Sequence, residues 1–147
     1  KNIDNSKIET LLNIRTNNNF NILRDEALNG NKVKTNKLLA DTFFDIDSNI
    51  LYLNSINQRF HKLNEIENLK KNGENIDVLV AKLKPPVFWK DKPVIIQQSK
   101  KWNKSKIDSI LKKTYAAEVD IKSNSTIRKD LLIKNLLVDI CVAANSP

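Results

Sequence analysis

The chain has 147 residues, a formal net charge of +8 and a hydrophobic content of 40%. This length supports one domain with a single core and at most a fragment of another. Only two glycines and four prolines occur, a composition that favours long helices over hairpin turns. No apolar run approaches the roughly 18 residues of a membrane span, and the first residues lack the apolar core of a signal peptide. We therefore expect an all-α, cytoplasmic protein with no membrane partner, and the absence of methionine indicates a segment cut from a longer chain.

The positive charge is concentrated in one stretch. Residues 82–113 contain ten lysines and two acidic residues, whereas the rest of the chain has 15 basic and 15 acidic residues. Such a cluster is typical of a face that meets nucleic acid or an acidic partner. The lysine cluster has a second explanation. The chain contains 21 lysines and 21 asparagines, a bias typical of proteins encoded by AT-rich genomes, so these lysines can simply occupy solvent-exposed positions. The candidate DNA or partner contacts within the cluster are Lys90, Lys92, Lys100, Lys101 and Lys104.

The apolar spacing in residues 8–45 predicts three helices. The first ends at the asparagine run 17–19, and the second begins at Phe20. The second helix closes at Gly30, because glycine can adopt the left-handed conformation that ends helices. The third helix starts near residue 32, places Phe43 on its apolar stripe, and forms an αα-hairpin with the second.

A long fourth helix is predicted from Asp47 or Ser48, which can cap it, to Gly73. A brief helix follows at about 76–83 with the same apolar period. Two further helices occupy the C-terminal part of the chain. One starts at about 103–105 and carries Tyr115 among its apolar residues, and the last one, from about 126 to 144, has the broadest apolar surface. A helix this apolar must be central or lie at an interface.

Between these groups, residues 84–102 hold three of the four prolines and both tryptophans. The doubled proline fixes φ and removes two backbone donors, so the preceding helix must end there. We expect a rigid corner here, followed by a helix at about 91–102. The structural residues of this corner are Pro85, Pro86, Phe88, Trp89 and Trp102. Aromatic side chains interleaved with lysine can stack on nucleobases. The tryptophans can instead anchor the corner to the core, and this interpretation is favoured for both, in particular for Trp102, which continues the apolar face of its helix.

No recognisable catalytic or metal-binding pattern occurs. The two glycines lie far apart, so there is no phosphate-binding loop. The chain has one histidine and one cysteine. It therefore cannot form an internal disulfide, or a metal site built from several histidines or several cysteines. Glu65 and Glu67 point in different directions on a helix, which is poor geometry for an acid–base pair. We expect no cofactor, no small-molecule substrate and no enzymatic activity of this segment.

Three motifs follow one another along the chain. Residues 24–31 read Arg-Asp-Glu-Ala-Leu-Asn-Gly-Asn, residues 85–90 read Pro-Pro-Val-Phe-Trp-Lys, and residues 117–122 read Ala-Glu-Val-Asp-Ile-Lys before a leucine-rich end. In this order they resemble the C-terminal domain of the delta subunit of the bacterial DNA polymerase III clamp loader. The first motif is similar to that family's Asp-Ala-x-x-x-Gly-Asn/Asp pattern, with one extra residue before the alanine. The last two motifs are the specific ones, and the resemblance covers about residues 20–141.

The resemblance implies a non-catalytic collar domain at residues 17–147, preceded at 1–16 by the end of a small helical lid domain. It implies assembly with the other clamp-loader subunits, and contact with primer–template DNA through the assembled complex. Some relatives place an aromatic residue near the template strand at the break after residue 122, and this chain has none at 123–126. The alternative is an autonomous helical nucleic-acid-binding module that uses the lysine-rich face of residues 82–113.

Overall fold

The computed structural model describes residues 5–70, 73–84, 86–123, 126 and 128–146, and this part of the chain is all-α, without a strand. Its elements are α1 (Asn5–Leu28), α2 (Lys32–Asp41), a 3-10 turn (Ile46–Ser48), α3 (Asn49–Lys70), α4 (Ile76–Ala81), α5 (Lys92–Ser99), α6 (Lys104–Ser123) and α7 (Lys129–Asn145). The prediction of an all-α fold of about seven to eight helices is confirmed. None of the described helices is long and apolar enough to cross a membrane.

Helix α1 is continuous through residues 17–19, so the predicted break there is wrong. An asparagine costs a helix only about 0.5–0.7 kcal/mol relative to alanine. The next turns of α1 bury Phe20, Leu23 and Ala27 in the core, and this packing outweighs the weak local preference. The boundary between residues 1–16 and the collar domain that the resemblance implies lies within this helix and stays a prediction.

Helix α3 is the centre of the structure. It packs against α1, α4, α5, α6, α7 and the 3-10 turn. The side chains that it buries most completely are Tyr52, Leu53, Ile56, Phe60, Leu63 and Ile66. Helix α7 packs against α1, α2, α3 and α6 and buries one face, as its apolar sequence predicted.

The turn between α1 and α2 has the predicted geometry. Gly30 adopts φ +72°. The N–H of Asn31 donates to the carbonyl of Glu26 at 3.1 Å, and the N–H of Gly30 donates to that of Ala27 at 3.0 Å. This pair of bonds is the Schellman pattern, which satisfies carbonyls at the end of a helix. Helices α1 and α2 therefore form the predicted αα-hairpin.

The beginning of α3 differs from the prediction. Neither Asp47 nor Ser48 caps it directly, because both lie in the 3-10 turn that precedes α3. Asp45 caps this turn, and its carboxylate accepts hydrogen bonds from the N–H of Asp47 at 3.3 Å and the hydroxyl of Ser48 at 2.7 Å. At the other end of α3, Gly73 has φ +73° and its N–H donates to the carbonyl of Lys70 at 3.1 Å.

Two aromatic side chains predicted on buried stripes are exposed. Phe43 is 73% exposed because α2 ends at Asp41, so this residue no longer follows the helical stripe. Tyr115 is 69% exposed on α6. Thr114 takes the neighbouring inward position, and its hydroxyl donates to the carbonyl of Ile110 at 2.8 Å.

Candidate functional site

The connection between α4 and α5 forms the predicted non-helical corner. Within the described residues it runs from Leu83 to Asp91, and Pro85 lies outside them. The N–H of Asp91 donates to the carbonyl of Phe88 at 2.8 Å, which closes a turn immediately before α5. Pro86 precedes this turn, and Pro93 lies in the first turn of α5, where its fixed φ suits a helix.

The side chains that attach the corner to the core are Leu83 and Val87, which are 1% and 7% exposed. Phe88 and Trp89 are 58% and 67% exposed, so the interpretation of Trp89 as a side chain that anchors the corner to the core is wrong. Successive side chains of an extended segment point to opposite sides. Because Val87 enters the core, Phe88 points away from it.

The two exposed rings lie beside each other with a lysine. Their centroids are 5.9 Å apart at an interplanar angle of 47°. The ammonium nitrogen of Lys90 lies 5.4 Å from the centroid of the Trp89 ring, which is cation–π distance. The next lysine along the chain, Lys92, is also exposed. We call Phe88, Trp89, Lys90 and Lys92 the aromatic corner.

Trp102 has the opposite environment, and its prediction as a core residue is confirmed. It is 2% exposed, and its ring meets that of Phe60 edge-on with centroids 4.9 Å apart. Its indole nitrogen donates to the carbonyl of Leu28 at 2.9 Å. A side chain in this position has no free face for a nucleobase.

Some of the predicted contact lysines are engaged within the protein. The ammonium group of Lys101 donates to the carbonyl of Asn29. That of Lys104 donates to the side-chain oxygen of Asn64 at 2.8 Å and lies 3.6 Å from the carboxylate of Asp108. Carbonyls at the C-terminal end of a helix attract cations, and Lys101 satisfies one just beyond the end of α1. These two lysines therefore have a role in the fold.

The other predicted lysines are more available. Lys92 and Lys100 are exposed, and within the described part of the chain neither ammonium group makes an ion pair or a hydrogen bond. They lie at opposite ends of α5, whose eight residues extend over about 12 Å. The predicted set therefore divides into the lysines of the aromatic corner, Lys100 at the far end of α5, and two lysines that are bound to other parts of the fold.

Sequence reasoning missed a buried polar network between α1, α3 and α5. The guanidinium of Arg24 donates to Asp25 at 3.1 Å and to the hydroxyl of Ser55 at 2.7 Å. The guanidinium of Arg59 donates to the side-chain oxygen of Gln98 at 3.1 Å and lies 3.6 Å from the same Asp25 oxygen. Gln98 completes the network by donating to Asp25 at 3.2 Å.

Two nearly buried guanidinium groups thus share one carboxylate. Burial, and then the charge of Arg24, lower the pKa of Arg59 below its usual value, whereas Asp25 and Asp91 raise it. The only sequence signal for this network was the Arg24–Asp25 pair that opens the motif at residues 24–31. In the structure, the end of α1 is fixed by this pair, by the buried side chains of Ala27 and Leu28, and by the turn at Gly30.

The cleft beside Arg24 does not have the features of a reaction centre. It has a volume of about 310 Å³ and lies between α1 and α3. Each nitrogen of the guanidinium already donates to a protein oxygen. Within the described residues, no three His, Cys, Asp or Glu side chains are placed to hold a metal ion. His61 is exposed, and the Cys141 thiol is buried.

Comparison of the chain with family models, with curated proteins and with solved structures finds no match. A family assignment therefore depends on the three motifs and on where the fold places them. Residues 24–31 form the last turn of α1 and the turn to α2, residues 86–90 lie in the corner, and residues 117–122 form the last turns of α6. In that last motif Ala117 and Ile121 are buried, and Lys122 pairs with Glu118 at 2.8 Å on the outer face.

Proposed function

We propose that this chain is a non-catalytic assembly domain, the collar region of a delta subunit of the bacterial DNA polymerase III clamp loader. In this role it binds the other clamp-loader subunits in the cytoplasm and helps build the complex that loads the sliding clamp. The observation that carries the proposal is the order of the three motifs along the chain. Each motif occupies a helix end or a corner, where a particular sequence is needed to hold a particular geometry.

An exposed apolar stripe on α7 supports an assembly role. Leu131, Val138 and Val142 are separated by seven and four residues, so they lie along one side of the helix. They are 43%, 41% and 58% exposed, although the opposite face of α7 is buried in the core. We call these three residues the α7 stripe. Exposed apolar residues grouped on one face are typical of protein interfaces.

Helix α2 extends this surface. It packs against α7, and Val33 near its start is 80% exposed. A groove of about 280 Å³ between the two helices is lined by Lys32, Thr35, Asn36, Val138, Cys141 and Val142. An apolar groove between two helices can receive a helix of another subunit. In the proposed assembly, α2 and the α7 stripe form the surface that meets a neighbouring subunit.

The test is co-purification of the 147-residue chain with the other clamp-loader subunits from the same organism. We expect the wild-type chain to elute with them from a size-exclusion column, and the double variant Val138→Asp, Val142→Asp to elute separately. Val119→Asp is the matched control, because Val119 is a similarly exposed valine on α6, 44% accessible. Circular dichroism of each variant checks that the fold is kept. A wild-type chain that binds none of these subunits would contradict the proposal.

A further inference from the structure

We propose that the aromatic corner is a binding site for single-stranded nucleic acid, in which a base stacks on Trp89 while Lys90 and Lys92 contact phosphates. This site is separate from the α7 stripe. It uses only surface of this chain, so it does not depend on the clamp-loader assignment.

The first argument is the exposure of two large rings at a rigid position. Phe88 and Trp89 are 58% and 67% exposed, although the backbone on either side of the pair is held by the fold. Val87 is anchored in the core, and the N–H of Asp91 donates to the carbonyl of Phe88. A platform held in this way loses little conformational freedom when a ligand binds. It is the arrangement that stacking on a base requires.

The second argument is the charge around the rings. Lys90 lies over the Trp89 ring at 5.4 Å, and Lys84 and Lys92 are exposed on either side in sequence. The segment 84–92 has one acidic residue, Asp91, against these three lysines. The corner therefore presents aromatic surface together with positive charge, the combination used by proteins that bind single strands.

The residue types favour a single strand that is bound without sequence preference. A base must leave the duplex stack before it can stack on Trp89. Lysine is a flexible point charge, and it lacks the planar fork with which arginine reads guanine edges. None of the four arginines lies within residues 82–113. The ammonium group of Lys100, which makes no ion pair or hydrogen bond within the described structure, can contact the same strand at the far end of α5.

The experiment measures fluorescence anisotropy of a labelled oligo-dT, of roughly 12 nucleotides to suit a site of this kind. The salt concentration is about 50 mM, where phosphate contacts are strong. We expect Trp89→Ala to weaken binding about 5- to 150-fold, the range that corresponds to loss of one stacked base. We expect the double variant Lys90→Gln, Lys92→Gln to reduce the magnitude of the salt slope by about 1.4, since each phosphate contact to a single strand contributes about 0.7.

The matched control is Tyr115→Ala, which removes an equally exposed aromatic ring beside Lys112 on α6. It should leave binding unchanged, and both aromatic variants should keep the wild-type melting temperature. Three results of the oligonucleotide titrations would overturn the proposal. They are no wild-type binding below about 100 µM, the weak end of non-specific affinities, equal weakening by both aromatic variants, and equal affinity for a duplex of the same length. Loss of subunit binding by Trp89→Ala, with oligo-dT binding intact, would also overturn it and make the corner a protein-docking site.

Discussion

The indole N–H of Trp102 donates a hydrogen bond of 2.9 Å to the backbone carbonyl of Leu28, the last residue of α1. The next two carbonyls are satisfied in the same way. Asn29 accepts from the ammonium group of Lys101, and Gly30 accepts from the side-chain amide of Asn145 at 2.8 Å. Carbonyls at a helix end have no partner within the helix. Here they bind side chains more than 70 residues further along the chain, so the α1–α2 turn joins the two halves of the fold.

The first prediction concerns Trp102. Trp102→Ala should lower the free energy of unfolding by about 3–5 kcal/mol, the usual cost of deleting a large buried aromatic side chain. Trp102→Phe keeps an aromatic ring beside Phe60 but leaves the Leu28 carbonyl without its donor, so we expect a smaller loss of about 1–3 kcal/mol. Urea denaturation followed by circular dichroism measures both. Trp89→Ala is the control, and an equal loss of stability in this variant would contradict the core assignment of Trp102.

The second prediction compares the two glycines with positive φ. Gly73→Ala should cost about 1–2 kcal/mol, because a side chain disfavours this backbone conformation, and nothing lies within 4 Å of the added Cβ. Gly30→Ala should cost more, because its Cβ would lie only 3.0–3.2 Å from the side chain of Asn145. If Asn145 moves away, its hydrogen bond to the Gly30 carbonyl is lost, which adds about 1 kcal/mol.

Thermal melts of the two glycine variants, and of Asn145→Ala with and without Gly30→Ala, test this comparison. The Gly30 and Asn145 substitutions should be non-additive because they affect one contact. Additive effects of these two changes would show that the contact does not contribute to the stability of the turn.

The helices were largely predictable because their apolar residues recur at helical spacing. Gly30 and Gly73 were predictable as turn positions because only glycine adopts positive φ at low cost. The break expected at residues 17–19 was wrong for the opposite reason. Asparagine is a weak local signal, and the tertiary packing of Phe20 and Leu23 decided the outcome.

The candidate site was predictable in position but not in orientation. The prolines indicated a corner, yet they did not show that Val87 would enter the core while Phe88 and Trp89 would stay outside it. The lysine count could not separate Lys101, whose ammonium group donates to a carbonyl beyond the end of α1, from Lys92, whose ammonium group has no such bond in the described structure. Both distinctions depend on which distant element packs nearby, and a local sequence pattern does not contain that information.

The third prediction tests the buried polar network. Asp25→Asn removes the carboxylate that Arg24 and Arg59 share, which leaves two nearly buried positive charges without their counter-ion. Breaking a buried pair in this way typically costs about 3–5 kcal/mol. We expect about 3 kcal/mol, the lower end of that range, because the Asp25 side chain keeps 23% exposure. Asp130→Asn, which removes the partner of the exposed Arg128, is the control and should leave the urea midpoint almost unchanged.

A second substitution separates charge from shape in the network. Arg59→Met removes one of the two guanidinium groups and keeps a long side chain. Combined with Asp25→Asn, it should restore part of the lost stability, because a single positive charge then remains beside the neutral amide. If Arg59→Met makes Asp25→Asn worse, repulsion between the guanidinium groups is not the source of the loss.

The last prediction concerns the pH dependence that Tyr52 gives to the fold. Its hydroxyl oxygen accepts a hydrogen bond from the N–H of Asp45 at 2.8 Å. Its ring stacks on Phe20 with centroids 4.4 Å apart, and it meets Phe44 edge-on at 5.7 Å. Burial raises the pKa of Tyr52 above its usual value of 10.0, and the nearby Asp45 charge contributes to the increase. The neutral phenol is therefore the form that the folded protein favours.

Because the folded-state pKa is the higher one, the contribution of Tyr52 to stability is fully present below pH 10 and is lost as the pH rises through the folded-state value. Tyr52→Phe keeps the stacked ring but leaves the Asp45 N–H without its acceptor, so at pH 7 it should cost about 1 kcal/mol. Above pH 10 the wild-type chain should lose stability more steeply than the variant, and the difference between them should shrink. Urea midpoints measured from pH 7 to pH 11 test this, with Tyr115→Phe, a change at an exposed ring, as the control. Parallel curves for wild type and Tyr52→Phe would show that the ionisation of Tyr52 is not linked to unfolding.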